Sequence, residues 1–247
     1  MARPPEQSPP PSAEKSPTAL AEELLVAHRR GDPTDRYRTA LADATDGALD
    51  RVRNDRRTAL AFWLNCYNAG TQHLLEERPD LYESPLRFVR FFSAPAITVA
   101  GTPSSLDWIE NGILRGGRSM YGLGYLPKLY VTGFERRYRL ADPDPRIHFA
   151  LNCGAASCPA IRAYEPDRID EQLDAATRGY LGSTVAYDPE GGTVRLPRVF
   201  LWFRGDFGGR TGIWAFLRRY GAIPEDATPK LRYLSWDWSK STGTFAE

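Results

Sequence analysis

The chain predicts an α+β fold: one compact domain of mixed helices around a small, mainly antiparallel sheet. Three observations carry this. Helical and strand-like segments follow one another without the regular β-α-β alternation that builds a parallel sheet. Residues 57–78 (RTALAFWLNCYNAGTQHLLEER) are long enough for a helix and apolar on every side, the pattern of a buried helix. DPEGG at 188–192 is turn chemistry between two strand-like stretches, VAYD and TVRLP.

The remaining elements follow in order. Residues 1–17 hold six prolines and almost no apolar side chains, a composition expected of a disordered tail. The tail has no apolar core of a secretory leader, so a cytoplasmic location is expected. Residues 18–247 show no repeat and no linker and are read as one globular domain. Ser16-Pro17 is a helix start, Leu20, Leu24 and Ala27 recur at helical spacing, and Gly31 stops the helix. A second helix restarts at Asp32-Pro33. The aromatic stretch FVRFF precedes a strand over 96–101. Ser104 or Ser105 then caps a helix, SLDWIENGILRGG, ending at Gly116-Gly117. RIHFAL (146–151) alternates like a strand and runs into the CGAASCP turn. Helices over 167–181 and 211–220 and a final strand or packed tail in LRYLSWDWS complete the pattern.

Charge and cysteine content narrow the function. There are 32 Lys+Arg against 31 Asp+Glu, so no overall basic excess equips the chain for nucleic acid or an anionic membrane. No run of 18 apolar residues exists to span a bilayer. Residues 18–58 balance eight acids with eight bases, whereas 115–146 carries seven bases against three acids. The three cysteines are odd in number in a chain too long to depend on disulfides, so reduced thiols are expected. No cofactor is expected, and the partner expected is a small-molecule or peptide substrate.

The candidate chemistry concentrates at 148–159, where His148, Asn152, Cys153, Ser157 and Cys158 fall together. A thiol becomes a nucleophile where an imidazole or backbone N–H groups stabilise its thiolate. Asn152 or neighbouring N–H groups are candidates for an oxyanion hole. Other readings stay open: two structural thiols, a redox pair in C-x4-C spacing, or a zinc site short of a fourth ligand. On the buried helix Thr58, Asn65, Asn68 and Gln72 share one face and either brace backbone or orient the imidazole. Cys66 beside them sits in an apolar setting and is expected to be inert. Glu110 borders the apolar stripe of its helix and is expected to pair with Arg115 or a pocket group. Asp206, within Arg204-Gly205-Asp206, is a structural acceptor or the orienter of His148. His28 and His73 are read as structural.

FWLNCYNAG, SLDWIENGILR, DPRIHFALNCGAASCP and WFRGDF together resemble the family known as domain of unknown function 547, in the same order over residues 55–240. Trp108 stands where that family usually has Asp. The resemblance implies that Cys153 rather than Cys158 is the retained thiol. It singles out Asn65, Tyr67, Asn68, Glu110, Arg115, His148 and Asp206 as site residues, and implies a papain- or transglutaminase-like architecture. The function expected on both grounds is a thiol-dependent hydrolase or acyltransferase acting on an amide or thioester. In it Cys153 attacks, His148 is the base, and Asn65, Asn68 or Asp206 orients the ring. The alternative is a non-catalytic interaction module using Trp236, Trp238 and the basic 115–146 segment.

Overall fold

The computed structural model describes residues 15–83 and 90–246. The tail expected over 1–17 and the start of FVRFF lie largely outside these residues. Within them the fold is α+β. Helix α1 (Pro17–Arg30) begins as expected: Ser16 Oγ accepts from Ala19 N at 3.3 Å, Pro17 takes the first turn, and Gly31 closes it with φ +69°. Helices α2 (Asp35–Ala42) and α3 (Asp50–Asn54) lead into α4 (Arg56–Glu77). Asp55 caps α4 by accepting from Thr58 N at 3.0 Å. Helix α4 is the hub of the fold, buried on nearly all sides from Thr58 to Leu75 and packed on α1, α3 and β1 (Pro95–Val99). Strand β1 pairs antiparallel with β2 (Thr102–Ser105).

The segment after β2 departs from the expected α-helix. Trp108–Leu114 is a π-helix, entered where Ser105 Oγ accepts from Trp108 N at 3.3 Å. Ser104 belongs to β2. Helix α5 (Gly133–Tyr138) carries a capping box between Thr132 and Glu135. Helix α6 (Ile169–Thr184) matches its expected position within a few residues.

The expected strand over 146–151 is instead a 3-10 helix, Pro145–Phe149. Asp144 Oδ1 accepts from Arg146 N at 3.0 Å and Pro145 fixes the first turn, which together start a helical turn. Arg146 then ties this turn to α6 through Asp170 (2.7 Å) and Asp174 (3.0 Å).

The expected hairpin forms: β3 (Ala186–Asp188) pairs antiparallel with β4 (Thr193–Leu196). Helices α7 (Val199–Trp202) and α8 (Gly209–Arg219) follow, and β5 (Lys230–Tyr233) returns parallel to β4. The small sheet is therefore two sheets, with one parallel pairing among otherwise antiparallel ones.

Buried apolar side chains form two clusters. One surrounds α4, α1, β1 and the π-helix; the other lies between α6, β4, α7 and α8. The 3-10 helix joins them, giving Ile147 to the first and Phe149 to the second, with His148 between. No helix among the described residues is long and apolar enough to cross a membrane.

Candidate functional site

The seam between the two clusters opens into a cavity of about 420 Å³. Cys153, Cys158, His148, Glu110 and Tyr67 line it together with an aromatic wall of Phe203, Trp202, Trp236 and Trp238. Each polar member is set by a different element.

His148 comes from the 3-10 helix, its side chain 1% exposed. Its ring stacks on Phe203 (centroids 4.0 Å, 13° between planes). Nε2 lies 3.0 Å from Asp206 Oδ2. Asp206 in turn accepts from Arg115 Nε at 2.6 Å and Nη2 at 3.1 Å, a bidentate pair. Arg115 is 1% exposed, and its Nη1 donates to Asn111 Oδ1 and to Ser119 O at 3.2 Å, with Phe203 under its guanidinium at 4.5 Å. Burial works against the Asp206 carboxylate, but His148 and Arg115 outweigh it and hold its pKa at about 2. Burial pushes the His148 pKa down, and the nearby Arg115 charge adds to this against the pull of Asp206. The ring is thus neutral near pH 7, with Nε2–H donating to a permanent carboxylate. Nδ1 has no hydrogen-bond partner among the described residues and is the nitrogen free to take a proton.

Glu110 sits on the π-helix, and its Oε2 accepts from Tyr67 Oη at 3.1 Å. Burial pushes the Glu110 pKa up to about 7, beyond what Arg115 and Tyr67 pull back. Arg115 is committed to Asp206, so Glu110's direct partner is Tyr67.

The thiols face each other, Cys153 Sγ 3.0 Å from Cys158 Sγ. Cys153 N–H also donates to Cys158 Sγ at 3.3 Å. Burial raises the Cys158 thiol, but these two donors and the backbone at Ala155 overcome it and lower its pKa. Cys153, hydrogen-bonded to that sulfur and buried beside it, is pushed well up. Of the two sulfurs, Cys158 is the one whose surroundings favour the thiolate form, whereas the resemblance points to Cys153. No hydrogen bond among the described residues joins His148 to either sulfur. Cys66, fully buried on α4, is pushed up by burial alone and lies outside the cavity.

The turn that presents the thiols is held from both sides. Asn68 on α4 donates to Ala150 O at 3.0 Å and accepts from Asn152 N at 3.0 Å. Asn152 donates to Pro159 O (2.7 Å) and accepts from Gly154 N (2.8 Å), closing the turn on itself. Gly154 has φ +85°, and a Cβ there would meet Leu75 Cδ1 at 2.6 Å, so only glycine fits. From the far side Ala156 N donates to Ser239 O at 2.9 Å and Ser241 N to Gly154 O at 2.8 Å.

Several predicted site residues therefore serve the scaffold. Asn65 spends its amide on Tyr164 N and O (2.9 and 2.8 Å), and Asn68 on the thiol turn; the imidazole is oriented by Asp206. Asn152 braces the turn. Ser157 faces a second cavity of about 450 Å³, which Cys158, Pro159 and Trp236 also border. The sequence reading missed Asn111, Trp202 and Phe203; Phe203 lies within the quoted WFRGDF, and its weight was legible there as an aromatic three residues before Asp206. As for metals, no group of three or more His, Cys, Asp or Glu among the described residues could hold an ion.

The family model described as "Protein of unknown function, DUF547" matches residues 52–181, more than half of the chain. This span holds α4, the π-helix, His148 and both cavity thiols, and stops short of Asp206. No curated protein and no solved structure gives a significant match.

Proposed function

As this chain belongs to the family described as protein of unknown function DUF547, a description that states no activity, we propose its function from the cavity: a thiol-dependent hydrolase or acyltransferase acting on an amide or thioester. The observation that carries the reading is the presence of Cys158, Cys153, His148 and Glu110 on the wall of one cavity.

In this mechanism the Cys158 thiolate attacks the substrate carbonyl carbon. Cys153 activates it through its S–H and N–H, a role the sequence reading gave to histidine. Glu110, whose pKa burial pushes up to about 7, gives its proton to the departing amine or thiol. His148 Nδ1 then takes the proton of the water or acceptor that attacks the Cys158 thioester, and Asp206 steadies the imidazolium through Nε2–H. The thiolate leaves, and the one proton held by His148 returns to Glu110. The aromatic wall fits an apolar acyl group. Cys158 also borders the second cavity, which gives an acceptor a separate approach and favours acyl transfer.

The test is acylation of the full chain by a panel of short-chain and aromatic acyl thioesters, read by intact mass and peptide mapping. An acyl adduct on Cys158 that is lost in Cys158→Ala and long-lived in His148→Ala is expected, with turnover in the latter down about 10²–10⁴-fold. Absence of any adduct on Cys158 or Cys153 across the panel sinks the reading.

A non-catalytic interaction module is the second reading. It is favoured by a run of exposed apolar side chains from Tyr121 to Tyr130, in which Leu129 is fully exposed. That reading expects partner binding to survive Cys158→Ala and fail on Leu129→Asp.

A further inference from the structure

We propose that Cys153 and Cys158 form a reversible intramolecular disulfide driven by a hydroperoxide, with Cys158 the reacting sulfur and Cys153 the resolving one. The inference stands apart from acyl transfer, since it needs only the two sulfurs and an oxidant.

Geometry is the main support. The sulfurs are 3.0 Å apart, and a disulfide of about 2.05 Å requires them to close by roughly 1 Å. Both lie in one turn whose backbone is also held by contacts other than the sulfurs, from Asn152 at its start, Asn68 on one side and residues 239–241 on the other. The closure falls in a stretch that belongs to no helix or strand. The two positions are also unequal. Cys158 borders both cavities and receives hydrogen bonds from Cys153 N and Sγ, the surroundings of an accessible thiolate. Cys153 lies against that sulfur and borders one cavity. Cys66 is buried in α4 and outside this chemistry.

The reaction balances in two steps. The Cys158 thiolate attacks the distal peroxide oxygen; the O–O bond breaks and, with one proton, the alcohol departs, leaving Cys158 as sulfenic acid. Cys153 sulfur then attacks Cys158 sulfur, the S–O bond breaks, and the Cys153 proton leaves with hydroxide as water. Two electrons pass from the sulfur pair to the peroxide. A disulfide here removes the thiolate from the cavity, so any acyl chemistry at Cys158 would cease until a thiol reductant restores it.

Fully reduced protein is treated with a slight excess of hydrogen peroxide, quenched with N-ethylmaleimide, and read by intact mass and peptide mapping. The expected result is a loss of two hydrogens confined to the Cys153–Cys158 peptide, no maleimide on either residue, and full recovery with dithiothreitol. In Cys153→Ser, a sulfenic acid trap such as dimedone labels Cys158; in Cys158→Ser, Cys153 stays unlabelled. The proposal is overturned if both thiols of the wild-type chain remain open to maleimide, or if dimedone labels wild-type Cys158 as heavily as Cys158 in Cys153→Ser. A chain that forms the disulfide but never an acyl adduct would reject acyl transfer and leave this inference standing.

Discussion

Replacing Asp206 by Asn tests the charge line behind the cavity. The carboxylate balances Arg115, which is 1% exposed, and holds His148 at 3.0 Å. Its pKa of about 2 against an ordinary 3.8, at about 1.36 kcal/mol per unit, corresponds to about 2 kcal/mol of native stability in wild type. Removing one partner of a buried pair costs more, about 3–5 kcal/mol, because the other charge is left unbalanced. Asn111, Ser119 O and the Phe203 face still serve Arg115, so the lower end, about 3 kcal/mol, is expected at pH 7. The sign of the pH effect follows from the lowered pKa. The contribution of Asp206 is complete above about 3.8 and is lost as the pH falls toward about 2. Urea unfolding of both chains between pH 7 and pH 2 should therefore give a gap that narrows by about 2 kcal/mol below pH 4. A gap under about 1 kcal/mol at pH 7, or one that does not change with pH, would refute the charge line as drawn.

Other expectations concern the neighbouring groups. Glu110→Gln keeps an acceptor for Tyr67 and removes a carboxyl whose pKa is raised from 4.5 to about 7; wild type loses stability as pH rises across that window, so the variant should gain up to about 3 kcal/mol at pH 8 and nothing at pH 4, by urea titration. Cys153→Ala removes the S–H donor to Cys158 and should move the pH midpoint of Cys158 alkylation by iodoacetamide up by about one unit. Gly154→Ala combines a left-handed φ with a Cβ 2.6 Å from Leu75 Cδ1 and should cost about 2–4 kcal/mol in urea unfolding. Asn65→Ala strands Tyr164 N and O and should cost about 2–4 kcal/mol while leaving Cys158 alkylation at its wild-type rate.

Local chemistry was the legible part of this fold. The Ser16-Pro17 start of α1, the all-round apolar pattern of α4 and the DPEGG turn each declare themselves within a few residues. The alternation in RIHFAL misled because six apolar-polar residues fit a strand and a 3-10 turn equally, and the deciding contacts come from Asp144 and from Asp170 and Asp174 on α6. At the site, residue types were legible and partnerships were not. His148, Glu110, Cys153 and Cys158 could be picked out by type and spacing. That Asp206 rather than an α4 amide holds the imidazole depends on a contact 58 residues away, and the sulfur-to-sulfur approach depends on the Gly154 turn.

The π-helix at Trp108–Leu114 has a consequence for how the two halves of the site keep step. Its defining bond runs from Arg115 N to Glu110 O at 2.8 Å, stacking these two residues one turn apart. At the ordinary α-helical step of about 100° per residue they would stand about 140° apart, and the segment could serve the Glu110 carboxyl or the Arg115–Asp206 pair, but not both. One residue in excess of an α-turn is what lets a single short helix present a titrating acid and a permanent cation to the same seam. Rewinding the turn to α geometry at its present length would carry Arg115 away from Asp206. The π winding of this turn thus keeps the two halves of the site in phase.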